Sequence, residues 1–493
     1  MAIVTFLLST WAPAALLVAA VAYYVYPYLV TYRHLQWIPA PFPAQFTNWW
    51  LLLVCRRGYR YETVDKLHKK LGPVVRIQPN HVSLCDDEAI QVVYGHGNGF
   101  FKAYRAEHSR KRKIVSRTFS VKSVAQFEPY IHSNLELFVR QLDSLISRSN
   151  NPDGAAYLDC LNWFNYLTFD VIGDLAFGAP FGMLSSGADM AEVRSSPDSP
   201  PIYAPAIEIL NRRGEVSATL GVLPQLKPYA KYFPDPFFSK GLQAVENLAG
   251  IAIARVKARL ENPLPAQRKD LLQRLIEGRD EKGEPLGRQE LTAEALTQLI
   301  AGSGTTSNSS CALLFHAVRT PGVIPKLQAE LDAAILPTWT CPRSTWSATC
   351  RTSRPSSTRR SASTRPRASA CPDRCPRTAR GCTTRATTFR PAPSSACRHT
   401  RSITPRRFGA RMRTEFRPER WESLTPRQKN AFIPFSYGPR ACVGRNVAEM
   451  EMKLIVATWA RRYEVFLRQD SMNTREGFLR KPLGLEIGLK RRH

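Results

Sequence analysis

The chain has 493 residues, a length that allows about three domains. Its hydrophobic content of 44 % and charged content of 22 % are those of a globular protein and exclude a wholly disordered chain. The net charge of +29 invites a nucleic-acid reading, but eighteen arginines, no lysine and a single acid, Asp373, fall between Pro337 and Thr414, so that stretch alone carries +17 and no nucleic-acid partner is expected.

Ile3 to Val30 is almost continuously apolar and carries no charged side chain. It is long enough to cross a bilayer as a helix. Tyr23, Tyr24, Tyr26 and Tyr28 suit the interfacial belt, and Arg33 follows on the cytoplasmic side. A cleaved signal peptide fits less well, because the run is too long, lacks a basic start and shows no clear cleavage signal. A buried soluble helix is the other alternative. Residues 1–32 are read as a membrane anchor and 33–493 as the catalytic body. Pro39, Pro41 and Pro43 form a stiff connector between them.

Between Tyr61 and Glu88 the pattern alternates helix and strand, with "VVRIQPNHVSLCD" as two short strands around a Pro-Asn turn. Ala106 to Ser120 is predicted to be a basic helix with His108 and Arg112 on one face. A solvated basic face explains these two residues equally well. Glu107-x-x-Arg110 lies in the same helix. Amphipathic helices are predicted over Phe127–Ile146, Trp163–Phe177 and Leu242–Leu260. A longer helix, Leu291–Val318, has a polar break at Ala301-Gly302-Ser303-Gly304-Thr305-Thr306, which also reads as a loop between two helices.

The arginine-rich interval 337–414 contains no valine, no leucine and neither helical nor strand periodicity. Such a segment cannot bury a core and is expected to be disordered. It also holds six of the eleven cysteines. The other five, Cys55, Cys85, Cys160, Cys311 and Cys442, are too scattered for a disulfide framework. Three readings stay open: a basic binding tract, a regulatory linker, or a shifted reading frame. The tract lacks lysine and aromatic interleaving, and a GC-rich coding sequence read out of register yields this residue set, so the frame shift is favoured.

Normal sequence resumes near Glu415 with Arg417-Pro418-Glu419-Arg420-Trp421. It leads to Phe435-Ser-Tyr-Gly438-Pro-Arg440-Ala-Cys442-Val-Gly444, followed at once by an amphipathic run from Val447 to Phe466. Gly438 and Gly444 let the backbone approach a flat cofactor. A helix N-terminus beside Cys442 favours a thiolate, and Arg440 can pair with an anionic group. A buried structural cysteine and a cysteine nucleophile are the competing readings, but no nearby histidine supports the latter.

The pattern Phe-x-x-Gly-x-Arg-x-Cys-x-Gly resembles the haem-binding loop of the cytochrome P450 family. The resemblance implies a mainly α fold with small β-sheets and an N-terminal transmembrane helix. It makes Cys442 the metal ligand of haem b, with Phe435, Gly438, Arg440 and Gly444 as cofactor-binding residues. His108 and Arg112 correspond to the C-helix residues that meet haem propionates. The Ala301–Thr306 segment resembles the family's oxygen groove, where Gly302 leaves room for dioxygen and Thr305, with Thr306 beside it, routes protons to it. The acid expected before that threonine is Gly304 here, and the loop preceding the basic helix is shorter than usual. The family's Glu-x-x-Arg, whose glutamate Arg420 would bond, is absent as translated, so Arg420 is expected to lack its partner. One permitted codon choice for Ser356–Ala362 gives Ile-Asn-Glu-Thr-Leu-Arg in the neighbouring frame, which contains the missing motif.

Several stretches, among them "NWFNYLTFDVIGDLAFGAPFGML" and "LTPRQKNAFIPFSYGPRACVGRNVAEME", resemble the fungal benzoate 4-monooxygenase branch. That likeness implies para-hydroxylation of a small aromatic carboxylate with O2. Electrons would come from NADPH–cytochrome P450 reductase, whose FAD and FMN are the only flavins involved. It also implies a single-pass anchor in the endoplasmic reticulum membrane with the catalytic domain on the cytoplasmic side. An inactive or misfolded member lacking Glu-x-x-Arg is the alternative.

Overall fold

The computed structural model describes residues 11–97, 105–116, 118–263, 268, 270–279, 283–334 and 416–492. Its principal helices are α1 (Trp11–Tyr26), α2 (Trp49–Arg57), α3 (Arg60–Leu71), α4 (Glu88–Tyr94), α5 (Arg105–Ser116), α6 (Glu128–Ser147), α7 (Cys160–Phe177), α8 (Ala206–Leu220), α9 (Pro236–Glu261), α10 (Arg288–Arg319), α11 (Val323–Ala334) and α12 (Arg445–Arg462). The strands are β1 (Val74–Gln78), β2 (His81–Leu84), β3 (Ala156–Asp159), β4 (Ala191–Val193), β5 (Ile202–Ala204), β6 (Tyr463–Leu467), β7 (Thr474–Glu476), β8 (Arg480–Pro482) and β9 (Glu486–Arg491). They form small antiparallel sheets: β1–β2, β4–β5, β7–β8, and a three-stranded sheet with β9 between β3 and β6. The expected mainly α fold with small sheets is present.

Helix α7 lies at the centre, with fifteen of its residues buried. A helix apolar on nearly every side can be stable only when surrounded. Leu135, Phe138 and Leu142 of α6, Leu299 and Cys311 of α10, and Leu454 and Trp459 of α12 share its core. Asp159 caps α7 by accepting the Leu161 N–H at 2.9 Å, and the same oxygen accepts the Leu485 N–H at 2.9 Å. Asp170, buried within α7, accepts backbone N–H groups of Gly182, Met183 and Leu184. Burial raises its pKa and these bonds oppose the rise.

Helix α10 crosses α7 closely. A Cβ on Gly302 would stand 2.6 Å from Ile172 Cδ1. Helix α10 is also continuous through its polar centre, where a break was expected. Ser303 donates to Leu299 O at 2.8 Å, Thr305 to Ala301 O at 2.7 Å and Ser309 to Thr305 O at 2.8 Å. The hydroxyls are satisfied one turn back along the helix, so they need no loop.

The two strands around Pro79-Asn80 are as expected. The run after Cys442 differs: helix α12 ends at Arg462, and Tyr463 begins strand β6, which pairs with β9. At the N-terminus, α1 is exposed along its apolar length. Among the described residues, Ala12–Thr31 is the one stretch long and apolar enough to cross a membrane. Most of the shortened loop before α5, residues 98–104, and all of the arginine-rich interval 337–414 lie outside the described residues.

Candidate active site

The cysteine loop begins after a short turn, Pro426–Ala431, whose start is closed by a reciprocal Thr425–Gln428 capping box. The Cys442 N–H donates to Phe435 O at 2.7 Å, and the Ser436 N–H donates to Ile433 O at 2.9 Å. These bonds fold residues 433–442 into a tight reversal. Gly438 has φ of +57°, and a Cβ there would lie 2.0 Å from Tyr94 O. No other residue type fits this contact with the end of α4. Gly444 stands immediately before α12, so Cys442 lies three residues ahead of that helix's first residue. The positive end of the helix dipole suits an anionic ligand at this position.

Cys442 is exposed, whereas Cys55, Cys160 and Cys311 are buried. Burial pushes the Cys55 thiol up to about 11 and the Cys311 thiol up to about 12, and raises that of Cys160 as well. These three are core thiols held in the protonated form. Arg440 packs its guanidinium 5.3 Å from the centre of the Tyr94 ring. Its Nη2 is buried and has no hydrogen-bond partner among the described residues. A buried guanidinium nitrogen without an acceptor is costly, and its chemistry fits a carboxylate such as a haem propionate. Phe435 carries Arg445 over its ring at 5.6 Å, and Arg445 pairs with Glu449 at 2.6 Å.

On α10, Ala301 and Thr305 share the more open face, while Ser303, Thr306, Ser307 and Ser310 are buried. Thr306 Oγ1 donates to Glu451 Oε2 of α12 at 2.8 Å. Burial pushes the Glu451 carboxyl up to about 7, and the bond from Thr306 acts against that rise. Glu451 was not identified from the sequence. The available signal was its helical spacing with buried Val447, Leu454, Ile455 and Thr458, which places a carboxylate on the inner face. Gly304 approaches Leu210 of α8.

His108 and Arg112 both lie on α5, and Arg112 is half-buried. Arg110 of that helix pairs with Glu290, and Lys111 pairs with Glu294 at 2.9 Å, pinning α5 to the start of α10. Just beyond α5, Phe119 O accepts a bond from Asn446 Nδ2 at 2.8 Å. The basic helix and the cysteine loop are therefore neighbours through the first turn of α12. Arg420 lies in the Pro418–Glu422 turn; the segment in which its glutamate partner was expected falls outside the described residues.

Residues 39–345 and 414–489 match the family model described as Cytochrome P450. The unmatched stretch, 346–413, falls inside the arginine-rich interval. Benzoate 4-monooxygenase bphA of Aspergillus niger is 54 % identical over 99 % of this chain and 98 % of its own length. Cytochrome P450 monooxygenase ORF11 of Penicillium roqueforti is 29 % identical over 88 % of this chain and 91 % of its own. Trichothecene C-4 hydroxylase of Trichoderma arundinaceum is 26 % identical, with 85 % and 84 % covered.

Proposed function

This chain belongs to the cytochrome P450 family, and we propose that it is a membrane-anchored monooxygenase that hydroxylates benzoate, or a closely similar aromatic carboxylate, at the para position. Membership brings a haem-thiolate iron, which supplies the oxygen-activating chemistry because a cysteinate favours O–O cleavage. The observation that carries the site assignment is the pairing, in one loop, of the exposed Cys442 with the orphaned buried Nη2 of Arg440. Cys442 would hold the metal and Arg440 would pair with a propionate. Phe435, Gly438 and Gly444 shape the loop around the cofactor, and His108 and Arg112 approach it from α5.

The oxygen side of the pocket is the Ala301–Thr306 segment of α10. Gly302 sets how closely α10 approaches α7 there. Thr305 lies on the open face and would pass a proton toward dioxygen by releasing its bond to Ala301 O, and Thr306 connects that segment to Glu451. The choice of benzoate is supported by the 54 % identity to the Aspergillus niger benzoate 4-monooxygenase. NADPH–cytochrome P450 reductase, through its FAD and FMN, supplies the electrons. Helix α1, with Arg33 beyond it, supports a single-pass anchor in the endoplasmic reticulum membrane and a cytoplasmic catalytic body. The absence of a family match over 346–413 supports a frame-shifted origin for 337–414.

The test uses membranes containing the full chain. Reduced samples treated with carbon monoxide should show the red-shifted band of thiolate-ligated haem, and Cys442→Ser should lose it. With reductase and NADPH, benzoate should yield 4-hydroxybenzoate. A thiolate band that survives Cys442→Ser would overturn the ligand assignment, and product hydroxylated at another position would overturn the regiochemistry.

A further inference from the structure

Helix α8 passes beside the centre of α10. Leu210 Cδ2 lies 3.6 Å from where a Cβ on Gly304 would stand. Arg213 and Gly214 follow three and four residues later, on the same face of α8. The turn joining β7 to β8 seats against this face. A Cβ on Gly214 would lie 3.6 Å from Phe478 Cβ, and one on Gly477 would lie 3.0 Å from the backbone nitrogen of Glu215. The two glycines bring the turn and the helix into near-backbone contact. Arg213 Cζ is 5.9 Å from the centre of the Phe478 ring.

The neighbouring carboxylates are already engaged. Glu215 receives Lys481 at 3.1 Å and Arg475 at 3.4 Å. Arg212 pairs with Glu208 at 2.7 Å. Among the described residues, Arg213 has no hydrogen-bond or ion-pair partner, only the Phe478 ring. Burial lowers its pKa, and no carboxylate acts in the opposite direction. A half-buried arginine without a counter-charge costs stability, and its guanidinium is left open to an anion supplied from outside the chain.

We infer that Arg213 anchors the carboxylate of the aromatic acid, while Phe478 packs against the acid's ring. This rests on the reading of the substrate as an aromatic carboxylate. The guanidinium fork matches a carboxylate bidentately, and the adjacent ring supplies an apolar wall. The para carbon is the ring position farthest from the carboxylate. Holding the carboxylate at α8 therefore presents the para edge toward the Gly304–Thr305 part of α10.

Equilibrium dialysis of the full chain in detergent, with labelled benzoate and its neutral analogue benzamide, tests this without turnover. Arg213→Leu should weaken benzoate binding about 10- to 100-fold, the range for a hydrogen bond to a charged group, and leave benzamide binding nearly unchanged. Arg213→Lys should recover part of the loss. Phe478→Ala should weaken both ligands alike. Unchanged benzoate affinity in Arg213→Leu would overturn the assignment and leave the substrate reading intact. Parallel loss of benzoate and benzamide in that variant would make Arg213 structural and also overturn it. A wild-type chain that binds no benzoate would remove the substrate reading, and this inference with it.

Discussion

Thr306 and Glu451 lie 145 residues apart in sequence and meet in a buried hydrogen bond of 2.8 Å. The bond joins the centre of α10 to α12, the helix that begins just after Cys442. Gly304 occupies the place where an acid was expected, yet a carboxylate still reaches this segment from the opposite helix. Buried carboxyls in apolar surroundings hold their protons to higher pH, and Glu451 is pushed up to about 7. It can therefore exist in either protonation state near neutrality.

Glu451→Gln should flatten the pH dependence of stability. The folded carboxyl has its pKa raised from 4.5 to about 7. Between those values the native state binds more protons than the unfolded chain, so stability falls as pH rises. Below the window both states are protonated, and above it both are ionised. The wild type should therefore lose up to about 3 kcal/mol relative to Glu451→Gln between pH 4 and pH 8. Urea unfolding of both proteins across that range measures the difference, and other titrating groups cancel in the comparison. Parallel profiles would show that Glu451 does not titrate in this window.

Thr306→Val keeps the side-chain shape and removes the hydroxyl. Glu451 is then left buried with its described partner gone. The expected loss is about 1–3 kcal/mol at a pH where the carboxyl is ionised, and less where it is protonated. Thr306→Ser should restore most of it. If Thr306→Val and Glu451→Gln prove additive in a double-mutant cycle, the two side chains are not coupled.

Gly438→Ala should disrupt the cysteine loop more than any surface change. Its Cβ would fall 2.0 Å from Tyr94 O, and its φ of +57° is one that side chains adopt only with strain. Haem content per chain in purified protein is the measurement. Gly287→Ala, at the start of α10, is the control, because a Cβ there would meet nothing within 4 Å and its φ is negative. Equal haem content in the two variants would mean that the loop tolerates the shift.

The cysteine loop was legible because its requirements are local: two glycines, one arginine and one thiol at fixed spacing. The centre of α10 was only partly legible. Serine, threonine and glycine favour loops as isolated residues, and only the back-bonding of Ser303, Thr305 and Ser309 shows why the helix continues. The surroundings of Glu451 and Arg213 were not legible in the sequence. A charged residue on a helix is ordinarily solvated, and what distinguishes these two is set by distant parts of the chain: Thr306 for one, and the β7–β8 turn for the other. The end of α12 was missed for the same reason, since Tyr463 leaves the helix to pair with β9.

The arginine-rich interval yields the last prediction. The family match stops at residue 345 and resumes at 414, and the unmatched stretch lies where eighteen arginines and a single acid accumulate between Pro337 and Thr414. Dense like charge without valine or leucine opposes compact packing. A coding sequence with 337–414 moved to the neighbouring frame should restore Glu-x-x-Arg and raise haem content per chain above that of the chain as written. Sequencing of transcripts across those codons should show the register change at each end. Both forms can be expressed in the same host and compared by haem content and by 4-hydroxybenzoate yield. Equal haem loading and equal product would defeat the frame-shift account and leave the interval as a tolerated insertion.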